Sequence, residues 1–400
     1  MTTARLALAL CLVLAVAGCV APAANAPGAS PAADGSDATT TTTATTSTPG
    51  DAGGAPEHVV VTGDLSVDAN VTFDRVAALL DADYAPTRVV VQDLSSRRAG
   101  GFSALPFFSA FGLSGSGASG TGTGVAGLTT LDATVYLSPA AADSARVEQV
   151  LAHEFVHVAQ VRQNMVPWFG GRAGAVDSLD EQFARRALVE GGAVYVTDAY
   201  TRAHQPGLGS QTDQMAAAYA NASAANRFVY GQYRFGAQYA NATLDGPADL
   251  PDLYEDPPET TENVLHPGTR DDPLALNVTV EAESVDRERS QTRRAGELLA
   301  RVVLRQTTTR STAREAAAGW GTDRVLAFAT PNGSSVAWVT RWDTPADADE
   351  FAAAARTLGD RQTDNTYRTE RVTEDTVVVF AGSEQFVANA EASGNVTVAA

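Results

Sequence analysis

The sequence predicts an α+β protein in two folded parts, a larger one built around a histidine-bearing helix and a small α+β unit behind it. Three observations carry that reading. Short β-branched runs such as Val59–Val61 and Val89–Val91, bounded by turn residues, alternate with long alanine-rich segments of helical character. The segment LAHEFVHVAQ, residues 151–160, holds two of the five histidines, four positions apart. Before the first run, residues 20–56 reduce almost entirely to Ala, Thr, Ser, Pro, Gly and Asp, from which no core can form.

Composition removes several function classes. The chain has 400 residues, 44% of them hydrophobic, and a formal charge of −19; none of its 28 basic residues is a lysine. Such a surface repels nucleic acid and anionic lipid, so no nucleic-acid partner is expected. An acidic, lysine-free surface also resembles that of proteins working in very high salt, where hydrated carboxylates keep the chain soluble. The 2 cysteines stand at positions 11 and 19, which leaves the folded part without disulfides or thiolate ligands.

Along the chain, residues 1–19 read as a secretory signal. One arginine precedes an apolar run from Leu6 to about Gly18 that is too short for a stable membrane span. Val16-Ala17-Gly18-Cys19 resembles a lipobox, so Cys19 is the expected lipidation site of an exported protein anchored at the cell surface. Residues 20–56 form the expected tether. Sequons at Asn70, Asn221, Asn241, Asn277, Asn332 and Asn395 suit an exported glycoprotein. Residues 57–276 form the larger part: a strand in EHVVVTGDL, a helix over Phe73–Leu80, a strand in TRVVVQDL, a glycine-rich loop at 112–124, and a strand in ATVYLSP closed by Pro139. Asp143 and Ser144 are expected to start the histidine helix. A second helix begins with the capping box Ser178 to Glu181 and runs to about Ala203. Residues 277–400 form the α+β unit, with helices over 295–305, 312–319 and 346–358 and strands over 324–330, 335–342 and 376–381.

On a helix His153 and His157 share a face and can point both imidazoles at one ion, with Glu154 beside them. Zn2+ suits such a site, because it accepts neutral imidazole and lowers the pKa of a water toward neutrality. Glu154 is then the catalytic general base. A catalytic zinc needs a third protein ligand. Glu190, inside the apolar run ALVEGGAVYV, is a charge that needs a partner, and the two glycines after it allow close approach. Asp198, on the same helix, is the candidate to orient a ligand imidazole.

These residues resemble the gluzincin metallopeptidases, in which HExxH is followed at a distance by a helix bearing Glu-Gly. The resemblance implies a zincin-like domain, with ATVYLSP as the edge strand that binds extended substrate, and hydrolysis of a peptide or protein substrate. Where thermolysin-like members carry an aspartate four residues after the third ligand, this chain has Val194. The segment PPETTENVLHPGTRDDP (257–273), with GWGTDRVLAF (319–328) and WVTRWDTPADADEF (338–351), is similar to a family of HExxH-containing haloarchaeal surface lipoproteins and distant bacterial relatives. By the same resemblance His266 is a catalytic candidate as oxyanion donor, with Tyr195, Tyr230 and Tyr233 as rivals. The alternative function is a surface binding or envelope-maintenance protein whose metal site is structural or vestigial.

Overall fold

A computed structural model describes residues 18–20, 58–95, 105–113, 124–166, 178–281, 294–330, 333–360, 365–393 and 397–399. The tether, most of the signal, nearly all of the glycine-rich loop, and the sequons at Asn332 and Asn395 lie outside the described residues. The fold is mixed α+β, as expected.

The first sheet contains β1 (Gly18–Val20), β2 (Val60–Thr62), β3 (Arg88–Val91), β4 (Val125–Thr129) and β5 (Val135–Leu137), in the order β1-β4-β5-β3-β2. β2, β3 and β5 run parallel, and β4 runs antiparallel to both β5 and β1. The parallel β2–β3 pair needs a crossover, and α1 (Ala69–Leu79) supplies it, started by the Asp68 carboxylate accepting from the Asn70 and Val71 amides. The expected substrate strand ATVYLSP is β5, and it lies inside the sheet. A tight turn pairs it with β4, so VAGLT at 125–129 is the strand beside the histidine helix, and its outer edge pairs with β1.

Helix α2 (Pro106–Ala110) precedes this hairpin, and α3 (Pro139–Ala142), capped by Ser138, follows it. The histidine helix α4 spans Val147–Arg162 and starts after Arg146, later than Asp143–Ser144, because the turn that ends α3 occupies those residues. It packs on β4, α1 and α5 (Leu179–His204). Ser178 caps α5 by accepting from the Glu181 amide at 3.1 Å. Helices α6 (Gln211–Asn221), α7 (Ala224–Thr243) and α8 (Thr261–Leu265) complete this part, with a 3-10 helix at Pro247–Tyr254. The crossing of α5 and α7 depends on glycine. A Cβ on Gly191 would fall 2.0 Å from the Gly236 carbonyl carbon, and one on Gly236 would fall 1.8 Å from the Ala187 carbonyl oxygen.

The rest of the chain comprises β6 (Thr279–Glu281), α9 (Glu297–Leu304), α10 (Arg310–Glu315), β7 (Trp320–Thr330), β8 (Gly333–Trp342), α11 (Pro345–Arg356), β9 (Thr366–Arg371), β10 (Thr376–Gly382), α12 (Glu384–Asn389), β11 (Glu391–Ser393) and β12 (Thr397–Ala399). β7-β8-β10-β9 form an antiparallel sheet, and β11-β12-β6 a smaller one. Phe107, Phe108 and Phe111, from α2 and the residue after it, share one buried core with Leu299 of α9, Phe228 of α7, Trp338 and Phe351. That core joins the C-terminal sheet to the helices of the first part. No described helix is long and apolar enough to cross a membrane.

Candidate metal centre

α4 sets His153 and His157 one turn apart, facing the middle of α5, where Glu190 sits. All three are at most 1% exposed, and their ligand atoms lie within 4.8 Å of one another. The two Nε2 atoms are 3.1 Å apart, and Glu190 Oε2 is 3.6 Å from each. Donors about 2.0–2.1 Å from one tetrahedral ion are about 3.3 Å apart, so the spacing suits a single cation with a further position open. Glu190 Oε2 is a buried oxygen with no hydrogen-bond partner, a costly arrangement unless a cation completes it. These residues fit a metal ion.

The hydrogen bonds on the far side of each ring fix which nitrogen faces the centre. His157 Nδ1 is 2.6 Å from Gln160 Oε1, and the Gln160 amide nitrogen donates to the Val189 carbonyl and to Tyr254 Oη. With both amide protons committed, Oε1 must accept, so His157 carries its proton on Nδ1 and presents a lone pair at Nε2. His153 Nδ1 likewise meets Gln211 Oε1 at 3.0 Å. Burial disfavours the Glu190 carboxylate, yet the two facing imidazoles prevail and hold its pKa down to about 2. Burial alone would lower the His157 pKa, yet the facing carboxylate raises it. The site therefore asks for positive charge, supplied by a proton or by a metal.

Glu154 is fully buried beside the trio. The Thr129 hydroxyl donates to its Oε2 at 2.6 Å, while Oε1 has no hydrogen-bond partner. Burial raises its pKa against the opposing pull of His157 and His153. Room for Oε1 comes from β4, since a Cβ on Gly127 would lie 2.6 Å from it. Gly192 similarly leaves space for Tyr254, whose Oη would lie 2.6 Å from a Cβ there.

Other expected site residues fall elsewhere. Asp198 does not reach an imidazole; its Oδ1 accepts from the Gln211 amide at 2.6 Å and so fixes the start of α6, from which Gln211 reaches His153. His266 is not brought to the trio. Its Nε2 lies 3.1 Å from both Glu297 Oε2 and Arg301 Nη2, because α8 packs on α9. Of the tyrosines, Tyr195 Oη faces the Leu244 carbonyl, whereas the Tyr233 ring stacks near His153 with centroids 6.3 Å apart. Gln160, Gln211, Thr129 and Gly127 were not expected from the sequence. Only Gln160 had a readable signal, one helical turn past His157 on the same face.

A family model for a domain of unknown function (DUF8575) matches residues 283–399, which run from just before α9 to the last strand and leave out the metal centre. Comparison with curated proteins and with solved structures gives no match.

Proposed function

We propose that this chain is a cell-surface, lipid-anchored zinc metallopeptidase with a zincin-like site domain. The observation that carries the reading is the convergence of two lone-pair-bearing imidazoles and one carboxylate on a point beside a second, unpaired buried carboxylate, Glu154 Oε1. His153, His157 and Glu190 would hold the ion. A zinc ion bound there supplies a Lewis acid and lowers the pKa of a water to near neutrality. Glu154 takes a proton from the attacking water and returns it to the leaving amine. Its raised proton affinity suits that traffic, and Thr129 keeps Oε2 in place so that Oε1 stays free. Tyr233, rather than His266, is the aromatic rival best placed to face developing charge. The outer edge of β4 is paired antiparallel with Gly18–Val20, the segment at the expected processing site, and an extended peptide would add to the sheet in its place.

A second reading rests on the burial. The four acidic and imidazole side chains are 0–1% exposed, as in a structural metal site that never meets substrate. Glu154→Gln separates the two. A peptidase loses turnover by about a hundredfold or more on peptide libraries in high salt while keeping its metal. Under the structural reading neither metal content nor any other property of the folded chain depends on that carboxylate, and no parent turnover exists to lose.

A further inference from the structure

Six arginines of a chain with formal charge −19 converge on one cavity of about 330 Å³. Arg227 and Arg234 come from α7, Arg301 and Arg305 line it from α9 and its C-terminal end, and Arg310 and Arg314 come from α10. Acidic compensation is sparse. Arg301 pairs with Glu297 at 2.6 Å and Arg314 with Glu315 at 3.7 Å, whereas Arg227, Arg234, Arg305 and Arg310 have no ion pair among the described residues. Arg227 is held by the Tyr219 and Ala222 carbonyls and Arg305 by that of Thr308, which fixes their positions without neutralising them.

Arg234 carries the inference. It is only 9% exposed, its Nε is buried without a hydrogen-bond partner, and its guanidinium lies 5.0 Å over the Tyr219 ring and 5.1 Å over that of Phe235. The aromatic rings orient the cation but give Nε no acceptor. A buried charged donor left unpaired, among like charges, is costly unless something negative completes it. Burial, followed by the neighbouring Arg310, pulls the Arg234 pKa down, with Tyr219 opposing.

We propose that this cavity binds a ligand bearing a phosphate or sulfate group, at a site separate from the metal centre. Guanidinium forks match the oxygens of such groups, and donors supplied by three helices suit a tetrahedral dianion better than a planar carboxylate. His266 borders the cavity, since its Nε2 touches Arg301 and its neighbour Leu265 lines the cavity. It also spans the chain: Arg301, Arg305, Arg310 and Arg314 fall within the matched domain of unknown function, and Arg227 and Arg234 outside it.

The test is titration of the purified full chain with inorganic phosphate and with inorganic sulfate. Acetate and chloride at equal ionic strength serve as controls, thermal midpoint and calorimetry as readouts, and the series is run on both zinc-loaded and chelated protein. Saturable binding of phosphate or sulfate in both metal states is expected, and whichever binds tighter identifies the group. Arg310 and Arg314 are exposed on α10, so R310A/R314A should fold normally, keep its zinc and bind about tenfold or more weakly. R88A, which removes an exposed arginine of β3 in the first sheet, should bind as the parent does. The proposal is overturned if the dianions act no more strongly than acetate, if R310A/R314A binds unchanged, or if binding vanishes on chelation, which would put the anion on the metal.

Discussion

At the residue scale, the candidate metal centre is ordered by two glutamines as well as by its three candidate ligands. Gln160 and Gln211 hold the Nδ1 protons of His157 and His153 and so set which nitrogens face Glu190. Replacing either by Ala should weaken zinc binding by about ten- to a hundredfold, read by competition with a chromogenic chelator, with the fold retained. The HExxH signal and Glu190 were legible because helical spacing and a charge in an apolar run are local facts. Gln211 was not, since it meets His153 across 58 positions through the start of α6. Buried carboxylates away from the metal give a pH prediction. Asp180 accepts from the Thr261 amide and hydroxyl, yet burial raises its pKa from 3.8 to about 7. Its folded form binds a proton that the unfolded chain releases, so its contribution to stability is full below pH about 4 and is lost as pH rises toward about 7. Asp180→Asn should flatten that fall, measured as denaturation midpoint against pH in constant salt. An unchanged slope would show that Asp180 is ionised throughout.

At the scale of elements, the α5–α7 crossing positions Glu190 immediately before Gly191, which meets Gly236. Gly236→Ala forces the helices apart and should cost about 1–3 kcal/mol of stability in denaturant titration, with weaker zinc binding because Glu190 moves with α5. Equal stability would mean that the crossing relaxes without strain. About half of the described helices and strands were visible as apolar periodicity between turn residues; α6 and α7 were not among them. Nor was the strand beside the metal helix. β4 contains only VAGLT after a glycine-rich stretch, while the stronger pattern ATVYLSP marks the interior strand β5. Sheet order depends on pairing across the chain, which local pattern does not encode. β9, TYRTER, was missed for another reason: it is a polar, partly exposed edge strand, and charge along an edge is what keeps it from pairing further.

At the scale of the whole molecule, a chain of formal charge −19 encloses a buried His153/His157/Glu190 group that could hold a metal ion and forms an arginine-lined cavity. A cation bound by the native state alone stabilises it in proportion to the logarithm of concentration over dissociation constant, so chelation should lower the thermal midpoint, and His157→Ala should abolish that response. The proposed lipid anchor has its own test. Cys19→Ser should release the protein to the medium or leave it unprocessed, and a processed variant fully retained on the membrane would refute the lipid anchor. The most direct test of the central claim is elemental analysis of the purified chain together with turnover, for the parent, His157→Ala, Glu190→Ala and Glu154→Gln side by side. About one zinc per chain should be present in the parent and in Glu154→Gln and lost from the two ligand variants, with peptide cleavage confined to the parent. Stoichiometric zinc in Glu190→Ala, or cleavage by Glu154→Gln at the parent rate, would contradict it.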